Sequence, residues 1–328
     1  MRALRLHAPS GPSALHWEEL PPPTPGPDEL LVRVRATALN RADLLQTLGR
    51  YPAPPGAPED IPGLEYAGEV QAVGARVRRF RPGDRVMGLV GGGAFAEGLC
   101  ISEREALPIP GSLPFTEAAA LPEAFLTAWD ALLLQGGLQA GETVLVHAAG
   151  SGVGVAAVQL AVAAGARVIG TSRTPQKLSR LASFGMHAGV LTGPGRDAAE
   201  DVLAASGGRG VDLVLDLVGG SAVPLSLRAL APRGRMLLVG LLDGASPAVD
   251  LGLVLRKRLT LQGTVMRSRA PEEKAALAAR AERTLLPLFA AGTLRPVVDA
   301  VFPITRAAEA FARMATNDSF GKLVLEVP

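Results

Sequence analysis

The segment from Thr143 to Ala164 has the spacing of an anion site. It reads Thr143-Val144-Leu145-Val146, then Gly150, Ser151, Gly152, Val153 and Gly154, then a helix-compatible run from Val153 to Ala164. A β-branched strand, a tight glycine turn and a helix leave backbone N–H groups and the positive end of the helix beside the turn, where a pyrophosphate binds. Glycine is needed because a Cβ would hold the phosphates away from the backbone. The strict G-x-G-x-x-G spacing is not kept, since Val155 stands where the last glycine belongs. A plain βα turn of another α/β fold remains an alternative. So does a membrane span, because no Asp, Glu, Lys or Arg occurs between Glu142 and Arg167 and Gly150-x-x-x-Gly154 matches a helix-pairing motif. Three glycines in five positions disfavour a continuous helix, so strand, turn and helix is the preferred reading.

The next strand decides which nucleotide fits. An NAD site places an Asp or Glu about 20 residues beyond the glycines, to accept the ribose hydroxyls. Here the segment is Thr171-Ser172-Arg173-Thr174-Pro175-Gln176-Lys177, with no carboxylate. Arg173 or Lys177 as charge partner and Ser172 as donor suit a 2′-phosphate, so NADPH is expected over NADH. The competing view puts both cations on a solvated helix face.

These residues need elements to hold them. A chain of 328 residues suggests two domains, and 48% hydrophobic with 20% charged residues describes a core-forming protein. Thirty-three basic against 31 acidic residues and 4% aromatics argue against a nucleic-acid surface. The single Cys100 excludes an intramolecular disulfide and every multi-cysteine zinc lobe. Arg2 and Arg5 are followed by no apolar stretch, so a cytoplasmic protein is expected.

Residues 1–115 look mostly β, with strands at Ala3–Leu6, Leu30–Val34, Glu65–Ala72 and Arg85–Val90, Gly/Pro turns between them, and a loop over 40–62. From Thr116 the pattern is a helix to Leu134 and then strands alternating with helices, which implies a parallel sheet covered on both faces. Past Ala270 come a helix to Ala291, a strand at 297–302, a helix at 307–315 and a strand at 323–325.

That order, with Asn40-x-x-Asp43, Gly63-Leu64-Glu65-Tyr66-Ala67-Gly68, Arg81-Pro82-Gly83-Asp84-Arg85-Val86 and Leu126-Thr127-Ala128-Trp129, resembles the medium-chain dehydrogenase/reductase superfamily, over essentially the whole chain. Its zinc-free, zeta-crystallin-like quinone oxidoreductases are the branch most resembled. The resemblance implies an α/β protein: a GroES-like β-rich catalytic domain (1–115 and 266–328) and a Rossmann doubly wound parallel-sheet domain binding NADPH (116–265). The branch usually shows A-x-x-G-x-x-G at the nucleotide loop. Here that register runs Ala148, Ser151, Gly154, with glycines at 150 and 152 instead. The zinc ligands of the alcohol-dehydrogenase members fall on Asn40 and Leu64, neither a good ligand, so no metal is expected.

Without a metal to stabilise an alkoxide, reducing an electrophilic quinone or conjugated enone is easier than oxidising an alcohol. By the resemblance, Asn40 sits beside the nicotinamide ribose and the reacting pocket. Asp43 orients a neighbour or relays a proton. Tyr51, in a Pro-rich loop, stacks on a quinone or donates to its oxygen. Thr127 supplies a hydroxyl towards the nicotinamide, and Val218, Gly240 and Leu241 follow later strands where cofactor contacts fall. The simpler view makes Asn40 and Asp43 a helix cap and Tyr51 a loop anchor. Glu65 is expected in an internal ion pair and Lys322 at a strand edge. The alternative functions are an enoyl-thioester reductase and a non-catalytic NADPH-binding crystallin or RNA-associated protein. A homodimer through the Rossmann domain is expected, with Arg258–Thr264 as the pairing edge.

Overall fold

The computed structural model describes residues 1–193 and 196–328. The chain forms one unit from Met1–Leu126 and Met266–Pro328 and a second from Thr127–Val265. In the first unit, β1 (Arg2–Leu6) pairs antiparallel with β2 (Leu15–Glu19). In β3 (Glu29–Ala38), Leu30, Val32, Val34 and Ala36 are buried and Arg33 is exposed, the two-residue period of a strand with one apolar face. Then come α1 (Arg41–Thr47), β4 (Glu65–Val73), β5 (Arg85–Leu89), β6 (Gly98–Ser102), β7 (Ala106–Pro108), α2 (Phe115–Ala118) and α3 (Pro122–Trp129).

In this stretch two features differ from the sequence expectation. The 40–62 stretch contains α1, only seven residues long and thus too short to show periodicity. The continuous helix expected from Thr116 to Leu134 is three pieces: α2, α3 and a π-helical turn at Asp130–Gln135. Pro122 opens α3 because proline lacks the N–H that a continuing helix would need. α2 packs on β3 and β4, which is why the first unit extends to Leu126.

The second unit strictly alternates: β8 (Thr143–Val146), α4 (Gly152–Ala163), β9 (Arg167–Ser172), α5 (Pro175–Ala182), β10 (Ala188–Leu191), α6 (Ala198–Ala205), β11 (Val211–Asp216), α7 (Ala222–Ala229), β12 (Leu230–Leu238), α8 (Leu251–Lys257) and β13 (Thr260–Gly263). All pairings are parallel, in the order β10-β9-β8-β11-β12-β13. Numbered within the unit this is 3-2-1-4-5-6, the doubly wound order, whose direction reverses between β8 and β11. All four residues of β8 are buried, as a strand covered on both faces requires. α4 has 12 residues, about 18 Å of helix, well short of a bilayer core. Among the described residues no helix is long and apolar enough to cross a membrane.

The chain then returns to the first unit with α9 (Pro271–Thr284), α10 (Leu286–Ala290), β14 (Val298–Pro303), α11 (Ala307–Thr316) and β15 (Lys322–Glu326). The single helix expected up to Ala291 is interrupted before Pro287. β15 lies between β14 and β3 in a sheet ordered β14-β15-β3-β4-β5-β7, with β6 also on β3. Lys322 is therefore not on a strand edge, a correction to the sequence reading. Leu30, Val32, Tyr66, Phe95, Phe311 and Leu325 centre the core beside this sheet.

Candidate functional site

In the second unit, β8 ends directly below the glycine turn. Ser151 is the N-cap of α4, and its Oγ accepts from the Gly154 N–H at 3.1 Å. That leaves the Gly152 and Val153 N–H groups among the four that an α-helix cannot pair internally. Gly154 cannot be replaced by a larger residue without rearrangement, because a Cβ there would sit 2.5 Å from the Ala148 carbonyl oxygen. A Cβ on Gly150 would meet only the stem of Lys177, at 2.7 Å from Cδ. Lys177 thus lies along the glycine turn, so the two parts of the nucleotide motif are one surface.

Ser172 is buried at the end of β9, its Oγ accepting from the Thr174 N–H at 3.2 Å. Arg173 is exposed and, among the described residues, pairs with no carboxylate. The buried Thr174 hydroxyl has no hydrogen-bond partner. A hydroxyl, a free guanidinium and an ammonium stem beside a helix N-terminus form a donor set that fits a phosphorylated ribose and a pyrophosphate.

Beneath these loops lies a buried polar group centred on His147, which directly follows β8. His147 Nδ1 meets Thr171 Oγ1 at 3.0 Å and Nε2 meets Ser226 Oγ at 2.9 Å. Burial holds its pKa below the ordinary range, against the pull of Asp216. Asp216, fully buried at the end of β11, accepts the N–H groups of Val218 and Gly219 through Oδ1 at 2.8 and 3.0 Å. His147 thus ties the end of β8 to Thr171 of β9 and Ser226 of α7, and its backbone N–H donates to the Leu215 carbonyl of β11 at 3.0 Å. For Asp216, a carboxylate closing an apolar strand just before Gly219-Gly220 was the available signal. Val218 is further held by its carbonyl, which accepts from Asp243 N–H at 2.9 Å. Gly240 packs on the Leu217 carbonyl, where a Cβ would approach to 2.6 Å, and Leu241 is exposed. Thr127 is buried on α3.

In the first unit, Asn40 and Asp43 open α1. Asp43 is fully buried; Oδ2 accepts from the Asn40 N–H at 2.7 Å and Oδ1 from the Gly63 N–H at 3.1 Å. Burial pushes its carboxyl up to about 7, opposed by these N–H donors and by Lys322 and Arg267. The Asn40 side chain bridges two charges. Its Nδ2 donates to Glu65 Oε1 at 2.9 Å, and its Oδ1 accepts from Lys322 Nζ at 2.6 Å. Lys322 also pairs with Glu65 at 2.6 Å and donates to the Leu39 carbonyl at 2.8 Å. Glu65 Oε2 accepts from the Glu123 N–H at 2.8 Å. Glu65 is in the internal ion pair expected of it. Tyr51 is half-buried in its loop, with the Arg267 guanidinium 5.2 Å from the ring centre.

A catalytic zinc does not suit this donor set. Asn40 is committed to Glu65 and Lys322, Leu64 is apolar and buried, and both ring nitrogens of His147 are engaged. Among the described residues no group of three or more His, Cys, Asp and Glu side chains is placed to hold a metal.

Compared with known proteins, residues 26–111 match the alcohol dehydrogenase GroES-like domain and residues 152–282 the domain described as zinc-binding dehydrogenase. The chain is 35% identical to a quinone oxidoreductase of Pseudomonas aeruginosa over 99% of both chains. It is 36% identical to the phthioceranic/hydroxyphthioceranic acid synthase of Mycobacterium tuberculosis over 93% of its own length, but spans only 14% of that protein. Among solved structures, an NAD-dependent alcohol dehydrogenase superposes with a TM-score of 0.90 at 34% identity, covering 100% of both chains. The CurK enoyl reductase superposes with a TM-score of 0.87 at 30% identity, covering 100% of this chain and 99% of that one.

Proposed function

This chain belongs to the medium-chain dehydrogenase/reductase superfamily, and from that premise we propose that it is a quinone oxidoreductase that uses NADPH, without a metal, to reduce quinones and conjugated enones in the cytoplasm. The observation that carries this reading is at the end of β9: Ser172, Lys177 and the exposed Arg173 stand where an NAD-selective site would hold a carboxylate. Bound NADPH would supply the hydride. The residues of the chain bind and orient. The free N–H groups of Gly152 and Val153, at the turn formed by Gly150 and Ser151, take the pyrophosphate. Arg173, Lys177 and Ser172 take the 2′-phosphate. Val218, Gly240, Leu241 and Thr127 bound the nicotinamide end. The Asp216 hydrogen bonds fix the Val218 loop in advance, so less ordering is needed on binding.

In the first unit, Asn40 would be the residue that meets a nicotinamide ribose, and Asp43 braces the turn that presents it. The engagement of Asn40 with Lys322 and Glu65 fixes its rotamer, which is what a contact residue needs. Tyr51 would stack on the acceptor or donate to its oxygen, the atom on which reduction would place negative charge. A quinone or enone spreads that charge over its conjugated system, so hydrogen-bond donors suffice where an alcohol would require a Lewis acid.

Likeness to the CurK enoyl reductase supports a second reading, reduction of a 2-enoyl thioester. Chelator-treated protein assayed with NADPH against 1,4-benzoquinone and crotonyl-CoA separates the two. Turnover of the quinone with a clear preference for NADPH is expected, and a thousandfold preference for the thioester would replace the first reading by the second. We also propose a homodimer through the second unit. Its edge strand β13 is exposed along its length, with Leu261 in it and Leu251, Leu255 and Val265 near it in sequence, all 45% exposed or more.

A further inference from the structure

Arg267 is the second residue after the chain re-enters the first unit, and it is only 6% exposed. No local pattern marks it in the sequence. Its guanidinium donates through Nε to the Gly91 carbonyl at 2.7 Å, through one terminal nitrogen to the Tyr51 carbonyl at 3.3 Å, with the Pro52 carbonyl at 3.5 Å, and through the other to Gln46 Oε1 at 2.5 Å. Gln46 in turn donates to the Glu59 carbonyl at 3.0 Å, at the far end of the same loop. Among the described residues Arg267 touches no carboxylate. A buried cation is satisfied here almost wholly by carbonyl oxygens and the face of Tyr51. Only a planar fork of five donors can serve α1, the Tyr51 loop and the Gly91 turn together.

We infer that Arg267 is the positioning residue for the electron acceptor: it clamps the Tyr51–Pro52 segment and, lying against the Tyr51 ring, makes the phenol a stronger donor to the carbonyl oxygen of a bound quinone or enone. The acceptor part rests on the role proposed above for Tyr51; the clamp does not. A cation against an aromatic face stabilises the ring electrostatically and favours loss or sharing of the phenolic proton. Burial and two charged groups act on the Tyr51 phenol. Burial raises its pKa, Arg267 lowers it, and Glu123 raises it. Arg267 is thus the one favourable charge. Asp43 is the other acidic group acting on Arg267, and its oxygens are held by the Asn40 and Gly63 N–H groups.

The chain has two tyrosines, and Tyr66 is fully buried with its phenol pushed far up, so tyrosinate absorbance reports Tyr51 before the fold is lost. Ultraviolet titration of the wild type, Arg267→Met, Arg267→Lys and Tyr51→Phe is paired with steady-state kinetics. Tyr51→Phe is expected to abolish the first titration step. Arg267→Met should shift that step upward by about one unit or more and raise the acceptor KM about tenfold, with the NADPH KM within about twofold. Arg267→Lys, which keeps the charge but loses the fork, should restore most of the titration and little of the KM, and it serves alone if Arg267→Met does not fold. In the Tyr51→Phe background, Arg267→Met should add nothing to the acceptor KM. An unmoved titration overturns the claim that Arg267 makes the phenol a stronger donor, and an acceptor KM fully restored in Arg267→Lys overturns the clamp. A shifted titration with acceptor kinetics indifferent to Tyr51→Phe keeps the charge effect and overturns the role of Tyr51. Multiplicative effects of the two substitutions overturn the claim that one residue acts through the other.

Discussion

Replacing Lys322 by Met tests the buried polar cluster at its centre. Lys322 reaches Glu65 and Asn40 Oδ1, both at 2.6 Å, and the Leu39 carbonyl at 2.8 Å, and both members of the ion pair are almost wholly buried. Removing the ammonium leaves Glu65 as a buried charge held only by the Asn40 Nδ2 and the Glu123 N–H. Breaking such a pair costs about 3–5 kcal/mol. For a unit of this size that is a fall in Tm of roughly 6–20 °C. Lys322→Met with Glu65→Gln removes the unpaired charge and keeps an acceptor for the Glu123 N–H. It should therefore recover about 2 kcal/mol relative to the sum of the single losses. Urea and thermal melts of the wild type, both single variants and the double variant give the coupling directly. A Lys322→Met loss under about 1 kcal/mol, or single losses that simply add, would refute the assignment of this pair as a coupled structural unit.

Four further outcomes follow from the same geometry. Arg173→Ala with Lys177→Ala should raise the NADPH KM by roughly 10²–10⁴-fold and leave the NADH KM nearly unchanged, since each of the two charge-assisted contacts is worth about 1.5–3 kcal/mol; equal effects on both nucleotides would sink the 2′-phosphate assignment. Gly154→Ala should destabilise by about 1–3 kcal/mol, because its Cβ meets backbone, whereas Gly150→Ala should spare stability and weaken NADPH, because its Cβ displaces Lys177. Asp43, lifted from 3.8 to about 7, binds its proton more tightly folded than unfolded. The stability it contributes is therefore complete below pH about 4, declines as pH rises towards 7 and is absent above, by at most about 4 kcal/mol; urea midpoints of the wild type and Asp43→Asn that run parallel from pH 4.5 to 8 would contradict this. Leu261→Asp on the exposed β13 should convert a dimer to monomer in light scattering, and an unchanged mass would remove that edge as the interface.

Much of the second unit was legible because a parallel sheet writes itself as apolar runs separated by helices. Thr143–Val146, Arg167–Ser172 and Val211–Asp216 are such runs, and the glycine turn between the first strand and its helix is local in sequence. Shorter pieces left no period to read: α1 has seven residues, and β10 has four, one of them glycine. Prolines were under-weighted where they interrupt a helical stretch, at Pro122 and Pro287. In the candidate site, Ser151, Arg173 and Lys177 were visible because neighbours in sequence act together. Lys322 and Arg267 were not. The first pairs with Glu65 and the second with Gln46, more than 200 residues away, and no spacing rule reports contacts of that separation. Position in the sheet decided Lys322, since β15 turned out to be interior.

The central claim is that a cationic pocket after β9 selects a phosphorylated nucleotide for metal-free reduction of a conjugated carbonyl compound. The most direct test is kcat/KM for NADPH and for NADH with 1,4-benzoquinone, on protein dialysed against a strong chelator and then resupplied with zinc. A ratio well above ten in favour of NADPH, unchanged by chelation and by zinc, is the predicted result. Equal use of NADH, or activity that vanishes on chelation and returns with zinc, contradicts it.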